Sequence, residues 1–236
     1  MKFSIDKDIF SKVSPLRVGV MILGGVNNKA DVGDFVREGY AEVGRDVAAK
    51  FGDVELSEYP VIRRWRDIYK DFGEKKARSS VEALIKRVKN GNPPPAINPL
   101  VDIYNLASIK FELPCGGEDL AAINSDIELT FASGGEEFVS LGQTEIERPN
   151  QGEIVYKFSN TIMCRNFNYR ESDITKLTGD TAAAIIVLED AGPGDGGLES
   201  AMEWLAAKAG ELLGANIVKK AVLSETNPEI EWQVRD

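Results

Sequence analysis

Helical spacing of apolar residues dominates the first third of the chain, and short β-rich runs dominate the rest. The first third predicts a buried strand at residues 16–23, helices at residues 31–51 and 60–72, and a third helix that begins at Ser79 or Ser80 and stops at Gly91-Asn92. Trp65, Tyr69 and Phe72 lie at i, i+4 and i+7 of the second helix, which indicates an apolar stripe that faces the core.

Three consecutive prolines, 93–95, interrupt this pattern and predict a stiff boundary within the chain. Beyond them the pattern predicts a helix at residues 98–111, strands at 127–131, 153–158 and 182–188, a helix at 198–213 and a strand at 217–223. We therefore expect an α+β fold. A helical N-terminal part with one strand, residues 1–92, should pack on a β-sandwich-like core formed by residues 93–236.

The composition indicates a globular protein of one large domain or two small ones. The chain has 236 residues, 43% of them hydrophobic, which is enough to bury a core. Its longest apolar runs, 18–23 and 182–188, fall far short of the ~20 residues that a membrane-spanning helix needs. We expect a cytoplasmic protein with no membrane partner. The two cysteines, Cys115 and Cys164, suit reduced thiols, although a bridge between them stays open.

The chain contains no histidine, and this excludes several kinds of catalytic site. A Ser-His-Asp or Cys-His nucleophile cannot be built, and neither can a zinc site with histidine ligands. Two distant cysteines and scattered carboxylates suggest no metal cage, so we expect no metal and no other cofactor. Any hydrolysis has to rely on carboxylates, hydroxyls, backbone groups or the substrate itself.

The net charge of −10 argues against DNA and against general nucleic-acid binding, because phosphate affinity depends on clustered Lys and Arg. Residues 61–89 are an exception, with ten basic and four acidic side chains. Arg63, Arg64 and Arg66 are therefore candidates for contact with nucleic-acid phosphates, with base stacking on a neighbouring aromatic ring. The alternative is that the aromatic residues belong to the core stripe and the charges form a solvated face.

Residues 164–172 crowd polar side chains into a strand that leads into a turn. The candidates for ligand binding there are Arg165, Asn166, Asn168, Arg170 and Glu171. Strand alternation would send Cys164, Asn166, Asn168 and Arg170 to one face and Arg165, Phe167, Tyr169 and Glu171 to the other. A ligand site is one interpretation. The other is a structural ion pair in which Glu171 binds Arg165 or Arg170.

Two further segments carry polar candidates. Asp102 and Asn105 lie at i and i+3 of the helix 98–111, so both should face the turn at Pro114, either to bind a ligand or to fix that turn. Glu118 and Asp119, in that turn, are candidates for a carboxylate beside the pocket, and the alternative is that they are ordinary exposed acids of a turn. The glycine-rich segment 192–197 matches no phosphate-binding motif and is interpreted as a flexible connector.

The motifs that carry a family resemblance are N-P-L-V-D-I-Y-N at 98–105, L-P-C-G-G-E-D-L at 113–120 and C-R-N-F-N-Y-R-E-S at 164–172. In this order and spacing, residues 78–190 resemble the B3/B4 editing domain of the phenylalanyl-tRNA synthetase beta chain. The last motif is similar to its stand-alone members. In the synthetase this domain removes wrongly attached tyrosine from tRNA, and the glutamate that reads the phenolic hydroxyl falls on Glu171. A family histidine falls on Gly116.

The resemblance implies two alternative functions. The first is a deacylase for aminoacyl-tRNA that acts in trans, with Glu171 as the catalytic residue, Asn166 and Asn168 holding polar atoms of the ligand, and Arg165 or Arg170 meeting a phosphate or carboxylate. The second is a non-catalytic module that binds tRNA or an amino-acid-like small molecule. Ligation of amino acids to tRNA is excluded, because the chain shows no ATP-binding or class II synthetase motif.

Overall fold

The computed structural model describes residues 1–192 and 197–233, so that most of the predicted glycine-rich connector lies outside the described residues. The helices within these ranges are α1 (Lys7–Lys12), α2 (Gly33–Phe51), α3 (Pro60–Asp71), α4 (Ser80–Lys89), α5 (Pro99–Phe111) and α6 (Leu198–Leu213). No helix in the described ranges is long and apolar enough to cross a membrane.

The strands of the described ranges form two large sheets and one small ribbon. The first sheet has the order β12 (Glu229–Glu231), β1 (Lys2–Ile5), β4 (Ile127–Phe131), β7 (Ile154–Phe158), β8 (Thr161–Arg165) and β9 (Arg170–Glu171). The second sheet has the order β11 (Asn216–Leu223), β2 (Arg17–Gly24), β10 (Ala183–Asp190) and β3 (Cys115–Asp119). The ribbon joins β5 (Phe138–Val139) to β6 (Ile146–Glu147).

The two large sheets share one apolar core, and the second sheet also packs on helices. Strand β2 shows how this works, because its residues alternate between two buried faces. Val18, Val20 and Ile22 join the core between the sheets, whereas Met21 and Leu23 pack with α5 and α6. A continuous apolar run is typical of a strand buried on both faces. The predicted α+β fold with a β-sandwich-like core is confirmed.

Helix α3 packs its apolar stripe against the core between the sheets. Trp65 and Tyr69 are almost fully buried, and Trp65 meets the ring of Phe167 edge to face with centroids 5.5 Å apart. Phe72 is partly buried and packs near Phe131. The aromatic residues of this helix therefore belong to the core, which leaves their neighbouring charges at the surface.

Strands from the first 92 residues are integral to both sheets. β1 lies between β12 and β4, and β2 lies between β11 and β10. The division of the chain at residues 92 and 93 stays a prediction, and hydrogen bonds between strands cross it in both sheets.

Most predicted elements form within one or two residues of their expected bounds, and helix α6 matches them fully. The segment after Pro114 is different: it is the strand β3 and not only a turn. Its two glycines weaken the strand signal, because glycine has a low strand propensity. Here glycine permits close packing, since a Cβ atom at Gly117 would lie 2.6 Å from the side chain of Ile186.

Strand β11 forms an outer edge of the second sheet in the described part of the chain. Its pairing with β2 shifts register between Ile217 and Lys219, which marks a β-bulge or a similar irregularity. The exposed residues that follow are Lys219 and Lys220. A bulge and two lysines therefore stand at the start of this edge.

The contact of Phe167 with Trp65 predicts a large loss of stability when the ring is removed. Phe167→Ala should lower the free energy of unfolding by about 3–5 kcal/mol, because it leaves a cavity in the core. Tyr169→Ala is the matched control, since Tyr169 is 41% exposed, and it should cost less than about 1 kcal/mol. Urea unfolding of both variants measures the difference, and equal losses would contradict the packing role of Phe167.

Candidate ligand-binding site

A cavity of about 30 Å³ lies between the two large sheets. The first sheet contributes Tyr156, Cys164 and Glu171 to its wall, and these residues are paired directly across neighbouring strands. Residues that are opposite each other in antiparallel strands share a face, which brings these side chains together. The second sheet contributes Gly116, Gly117, Glu118, Ile185, Val187 and Glu189, and the remaining wall is Phe3, Met163, Phe167 and Asn168.

Glu189 is the most fully bonded of the three acidic residues in this wall. The Tyr156 hydroxyl donates to Glu189 Oε1 at 2.5 Å, and the side-chain amide of Asn168 donates to Oε2. Glu189 is only 2% exposed, and this burial raises its pKa to about 7. At neutral pH Glu189 is therefore divided between its neutral and charged forms.

Asn168 connects the cavity to the helices outside it. Its side-chain oxygen accepts hydrogen bonds from the Tyr69 hydroxyl and from the backbone N–H of Ser80, both at 3.0 Å. Tyr69 belongs to α3, and Ser80 begins α4. The side-chain amide of Asn168 thus forms hydrogen bonds with Glu189 on one side and with helices α3 and α4 on the other.

The turn that positions Asn168 contains two residues with left-handed backbone conformation. Asn166 has φ 50° and Phe167 has φ 59°. Asn tolerates this region, but a bulky residue there is uncommon and costs on the order of 1–3 kcal/mol. Burial of the Phe167 ring against Trp65 offsets that cost.

Glu118 and Glu171 differ from Glu189 in their surroundings. Glu118 is 6% exposed, and its Oε2 atom has no hydrogen-bond partner among the described residues. Glu171 is partly exposed. Burial raises the pKa of both groups, and the charge of Glu171 raises the pKa of Glu118 further. A Cβ atom at Gly116 would lie 3.1 Å from Glu171 Oε1, so glycine leaves room for that carboxylate.

The two arginines of the motif at 164–172 point away from the cavity. Arg165 pairs with Glu153 at 2.6 Å and with Glu147 at 3.2 Å. Arg170 pairs with Glu147 at 2.6 Å. Glu171 takes part in no ion pair among the described residues, so the interpretation that it neutralises Arg165 or Arg170 is wrong.

Simple alternation along residues 164–172 is also wrong. It separates Cys164 from Glu171, yet the two are cross-strand partners on one face and both line the cavity. Phe167 and Asn168, predicted on opposite faces, also line it together. The reason is the turn at 166–169, whose left-handed residues reverse the chain and change which side chains share a face.

Asp102 and Asn105 are buried in α5 but do not line the cavity. Asp102 Oδ1 accepts a hydrogen bond from the backbone N–H of Ile97 at 3.0 Å, which fixes the approach to the helix. Asn166 is buried beside the cavity and does not line it. Of the residues predicted from the motif, the wall of the cavity contains Asn168 and Glu171.

Glu189 and Tyr156 complete the site although neither belongs to a motif. The available signal for Glu189 was the alternation of β10, since Ile185, Val187 and Glu189 are spaced by two and share a face. A glutamate on the buried face of an apolar strand is unusual enough to indicate a site. Tyr156 has no comparable signal, because tyrosine is common in strands.

Two of the three arginines predicted to meet phosphates bind groups within the molecule. Arg64 donates to the backbone oxygens of Ser14 and Ala191, each at 2.9 Å. Arg66 binds the buried carboxylate of Glu82 with two hydrogen bonds, of 2.6 and 3.1 Å. Arg63 is mostly exposed and lies 3.8 Å from Glu58. Of the three arginines predicted to meet phosphates, Arg63 is the one whose head is most exposed.

This arrangement predicts different effects of charge reversal at neighbouring arginines. Arg66→Glu should lower the free energy of unfolding by about 3 kcal/mol, because it leaves Glu82 buried beside a like charge. Arg63→Glu should change it by less than about 1 kcal/mol, since that side chain is 62% exposed. Chemical denaturation measures both. A stable Arg66→Glu protein would contradict the structural role of this pair.

The raised pKa of Glu189 predicts that stability falls as pH rises from about 4.5 to about 7. In this window the folded protein binds more protons than the unfolded chain, so raising the pH favours unfolding. The difference between 4.5 and about 7 corresponds to roughly 3 kcal/mol. The melting temperature should therefore be lower at pH 8 than at pH 5. Glu189→Gln should reduce this dependence, whereas Glu128→Gln, at an exposed position of β4, should keep it.

Comparison with known proteins finds a family and a distant structural neighbour. Residues 64–193 match the model of the B3/4 domain family. A crystal structure of an N-terminal fragment of the phenylalanyl-tRNA synthetase beta-subunit from Pyrococcus horikoshii is similar, with a TM-score of 0.47 and 13% identity. The alignment covers 91% of this chain and 49% of the synthetase fragment, so the chain spans about half of it. No curated protein matches the sequence. Since the family match covers more than half of its residues, the chain belongs to the B3/4 domain family.

Proposed function

We propose that this protein recognises the aminoacyl group of an aminoacyl-tRNA, or a free amino-acid-like ligand, through the cavity beside Glu171. The observation that carries the proposal is the placement of Glu171 in the cavity wall while Arg165 and Arg170 pair with other acids. Glu171 is partly exposed, and a carboxylate that is partly withdrawn from water without a counter-ion carries a free-energy cost unless it has another use. Membership of the B3/4 domain family favours a ligand from tRNA aminoacylation.

The wall of the cavity suits the tip of an amino-acid side chain. Met163, Phe167 and Val187 offer apolar surface, and Glu171 with Asn168 offers polar atoms that can orient a ligand. A volume of about 30 Å³ holds roughly two water-sized groups. Only a small terminal group of a ligand enters the cavity as its walls stand. Because Glu171 retains partial exposure, it is the acidic group placed to meet a ligand that arrives from solvent.

Hydrolysis of the aminoacyl ester is a second candidate function, favoured by the raised pKa of Glu171 together with its partial exposure. A general base works best when its pKa lies near the operating pH, and burial moves this carboxylate in that direction. Glu171 would take a proton from a water molecule that attacks the ester carbonyl. The proton would then pass to the leaving hydroxyl of the tRNA ribose.

Contact with tRNA would have to use exposed basic side chains, because Arg64 and Arg66 bind groups within the protein. Exposed lysines and arginines of the same segment are Arg63, Lys70, Lys75, Lys76, Lys86 and Arg87. Phosphate contacts of this kind release counter-ions, so tRNA affinity should fall steeply with salt. Charge reversal at Lys86 and Arg87 is a cleaner test than reversal at Arg66, since both are exposed.

The test of the proposed function is substitution of Glu171, assayed with a panel of tRNAs that carry correct and incorrect amino acids. Glu171→Gln should alter which aminoacyl group is bound, and Glu171→Ala should weaken binding by roughly five- to 150-fold, about 1–3 kcal/mol. Loss of the ester bond and binding of the aminoacyl-tRNA are measured on the same samples. Glu128→Gln removes a charge outside the cavity and is the matched control.

Two outcomes separate the candidates. Binding without ester loss would support recognition and reject hydrolysis. If Glu171→Ala keeps both the affinity and the preference of the wild-type protein, while melting at a lower temperature, then Glu171 stabilises the fold and the proposed site is wrong.

A further inference from the structure

Acidic groups face the cavity without a basic counterpart. Glu118, Glu171 and Glu189 line it, and of the described residues in its wall none is Lys or Arg. Lys176, which forms a β-bridge with Glu118, is exposed and pairs with Asp173 at 2.8 Å. The positive charges nearest in sequence to Glu171 are likewise engaged, since Arg170 and Arg165 bind Glu147. The cavity wall therefore offers carboxyl oxygens that can accept hydrogen bonds or bind a positive charge, and no basic side chain among the described wall residues neutralises them.

One buried carboxyl oxygen in the cavity wall makes no hydrogen bond of ordinary geometry among the described residues, although the side chains of Glu171 and Thr175 lie beside its carboxyl group. Glu118 Oε2 is buried and makes no hydrogen bond, although its residue is only 6% exposed. Buried polar atoms are nearly always satisfied, so an orphan acceptor in the wall of a cavity calls for an explanation. Glu189 does not share this condition, because Tyr156 and Asn168 already donate to both of its oxygens.

We infer that the cavity binds the protonated primary amine at the end of an alkyl chain, with the ammonium group between Glu118 and Glu171. This inference rests on the proposed function, for which it names the ligand class: an amino-acid-like ligand whose side chain ends in an amine. An ammonium carries three donors and no acceptor, which matches the carboxylate oxygens of Glu118 and Glu171. A hydroxyl could satisfy fewer of them.

The size and the walls of the cavity also favour an alkylammonium. About 30 Å³ accommodates a compact ammonium with its last methylene, whereas the planar fork of a guanidinium is larger. Ile185, Val187 and Met163 provide apolar contacts for an alkyl stem. The rings of Phe3 and Phe167 also line the cavity, and aromatic faces attract cations.

Ligand binding should depend on pH, because the empty cavity favours neutral carboxyl groups. Glu171 and Glu189 face Glu118. The other titratable groups of the described ranges that interact with this cluster are acids that become negative when they lose a proton: Cys115 on β3, Cys164 on β8, Tyr104 on α5, Tyr156 on β7 and Tyr69 on α3. An incoming ammonium stabilises the charged carboxylates and displaces their protons. Affinity for an amine should therefore increase with rising pH, as Glu118 and Glu171 lose their protons.

The experiment compares amines with neutral molecules of the same shape by titration calorimetry at pH 8. The first pair of probes is n-butylamine and 1-butanol. The second pair is the N-acetyl methyl esters of L-lysine and L-norleucine, which differ in the terminal amine and share the same stem. We expect each amine to bind about tenfold or more tightly than its neutral counterpart. Glu118→Gln should remove most of this preference, and Glu128→Gln should retain it.

A second measurement uses the wild-type protein alone and does not depend on how the variant folds. Titration of the lysine ester in two buffers with different ionisation enthalpies reports protons released on binding. We expect release at pH 6.5 that diminishes at pH 8.5. Binding of the lysine ester with no proton release would contradict the displacement of protons from buried carboxyls.

The outcomes distinguish this inference from the proposed function. If the norleucine ester binds as well as the lysine ester and depends on Glu171, the amine is not recognised, although amino-acid recognition survives. If n-butylamine binds through Glu118 but no amino-acid ester or aminoacyl-tRNA does, the amine site stands and the proposed function fails. Binding of Mg²⁺ or Zn²⁺ that Glu118→Gln abolishes, with no binding of either amine, would overturn the inference in favour of a metal.

Discussion

The cost of placing three carboxyl groups between two apolar sheets constrains the centre of this molecule. A charged carboxylate loses its hydration on burial, so it must become neutral or gain donors from the protein. Glu189 gains donors from Tyr156 and Asn168, and its pKa still rises to about 7. Glu118 gains none for one of its oxygens. The polar interior is therefore incompletely satisfied, which is typical of a site and not of a structural core.

Asn168 links the buried carboxyl group of Glu189 to other parts of the fold by hydrogen bonds. Through its amide, Glu189 is connected to Tyr69 in α3 and to the first turn of α4. The strained turn at Asn166 and Phe167 places Asn168 where it can do so, and the buried ring of Phe167 stabilises the turn. Hydrogen bonds thus connect helices α3 and α4 to the motif at 164–172, although about a hundred residues of sequence separate them.

Local sequence patterns were sufficient for the main helices and the longest strands. Helix α6 and strand β2 have strong periodic or continuous apolar patterns, and their predicted bounds lie within about one residue of the observed ones. The short strands β1 and β12 were not predicted, because they obtain their hydrogen bonds from segments distant in sequence.

The site was predictable only in part, because its geometry depends on how strands pair. Family resemblance singled out Glu171 as a candidate, and this residue lines the cavity, while its role stays a prediction. Alternation failed for its neighbours, since a four-residue turn changes the face on which later residues lie. Local sequence patterns could not predict that Arg165 pairs with Glu153 and that Glu171 therefore lacks a basic partner among the described residues. That result depends on the register of β7 and β8.

The start of strand β11 has a consequence for how the protein behaves at high concentration. An exposed sheet edge offers free backbone groups to any other strand, which is a common route to aggregation. Here the register shift between Ile217 and Lys219 interrupts the regular spacing of those groups, and Lys219 adds positive charge, whereas Lys220 pairs with Glu203 at 2.5 Å. A second copy that approached edge to edge would bring the Lys219 side chains of the two copies to the same edge. Electrostatic repulsion and mismatched hydrogen bonding therefore protect this edge from fibrous assembly.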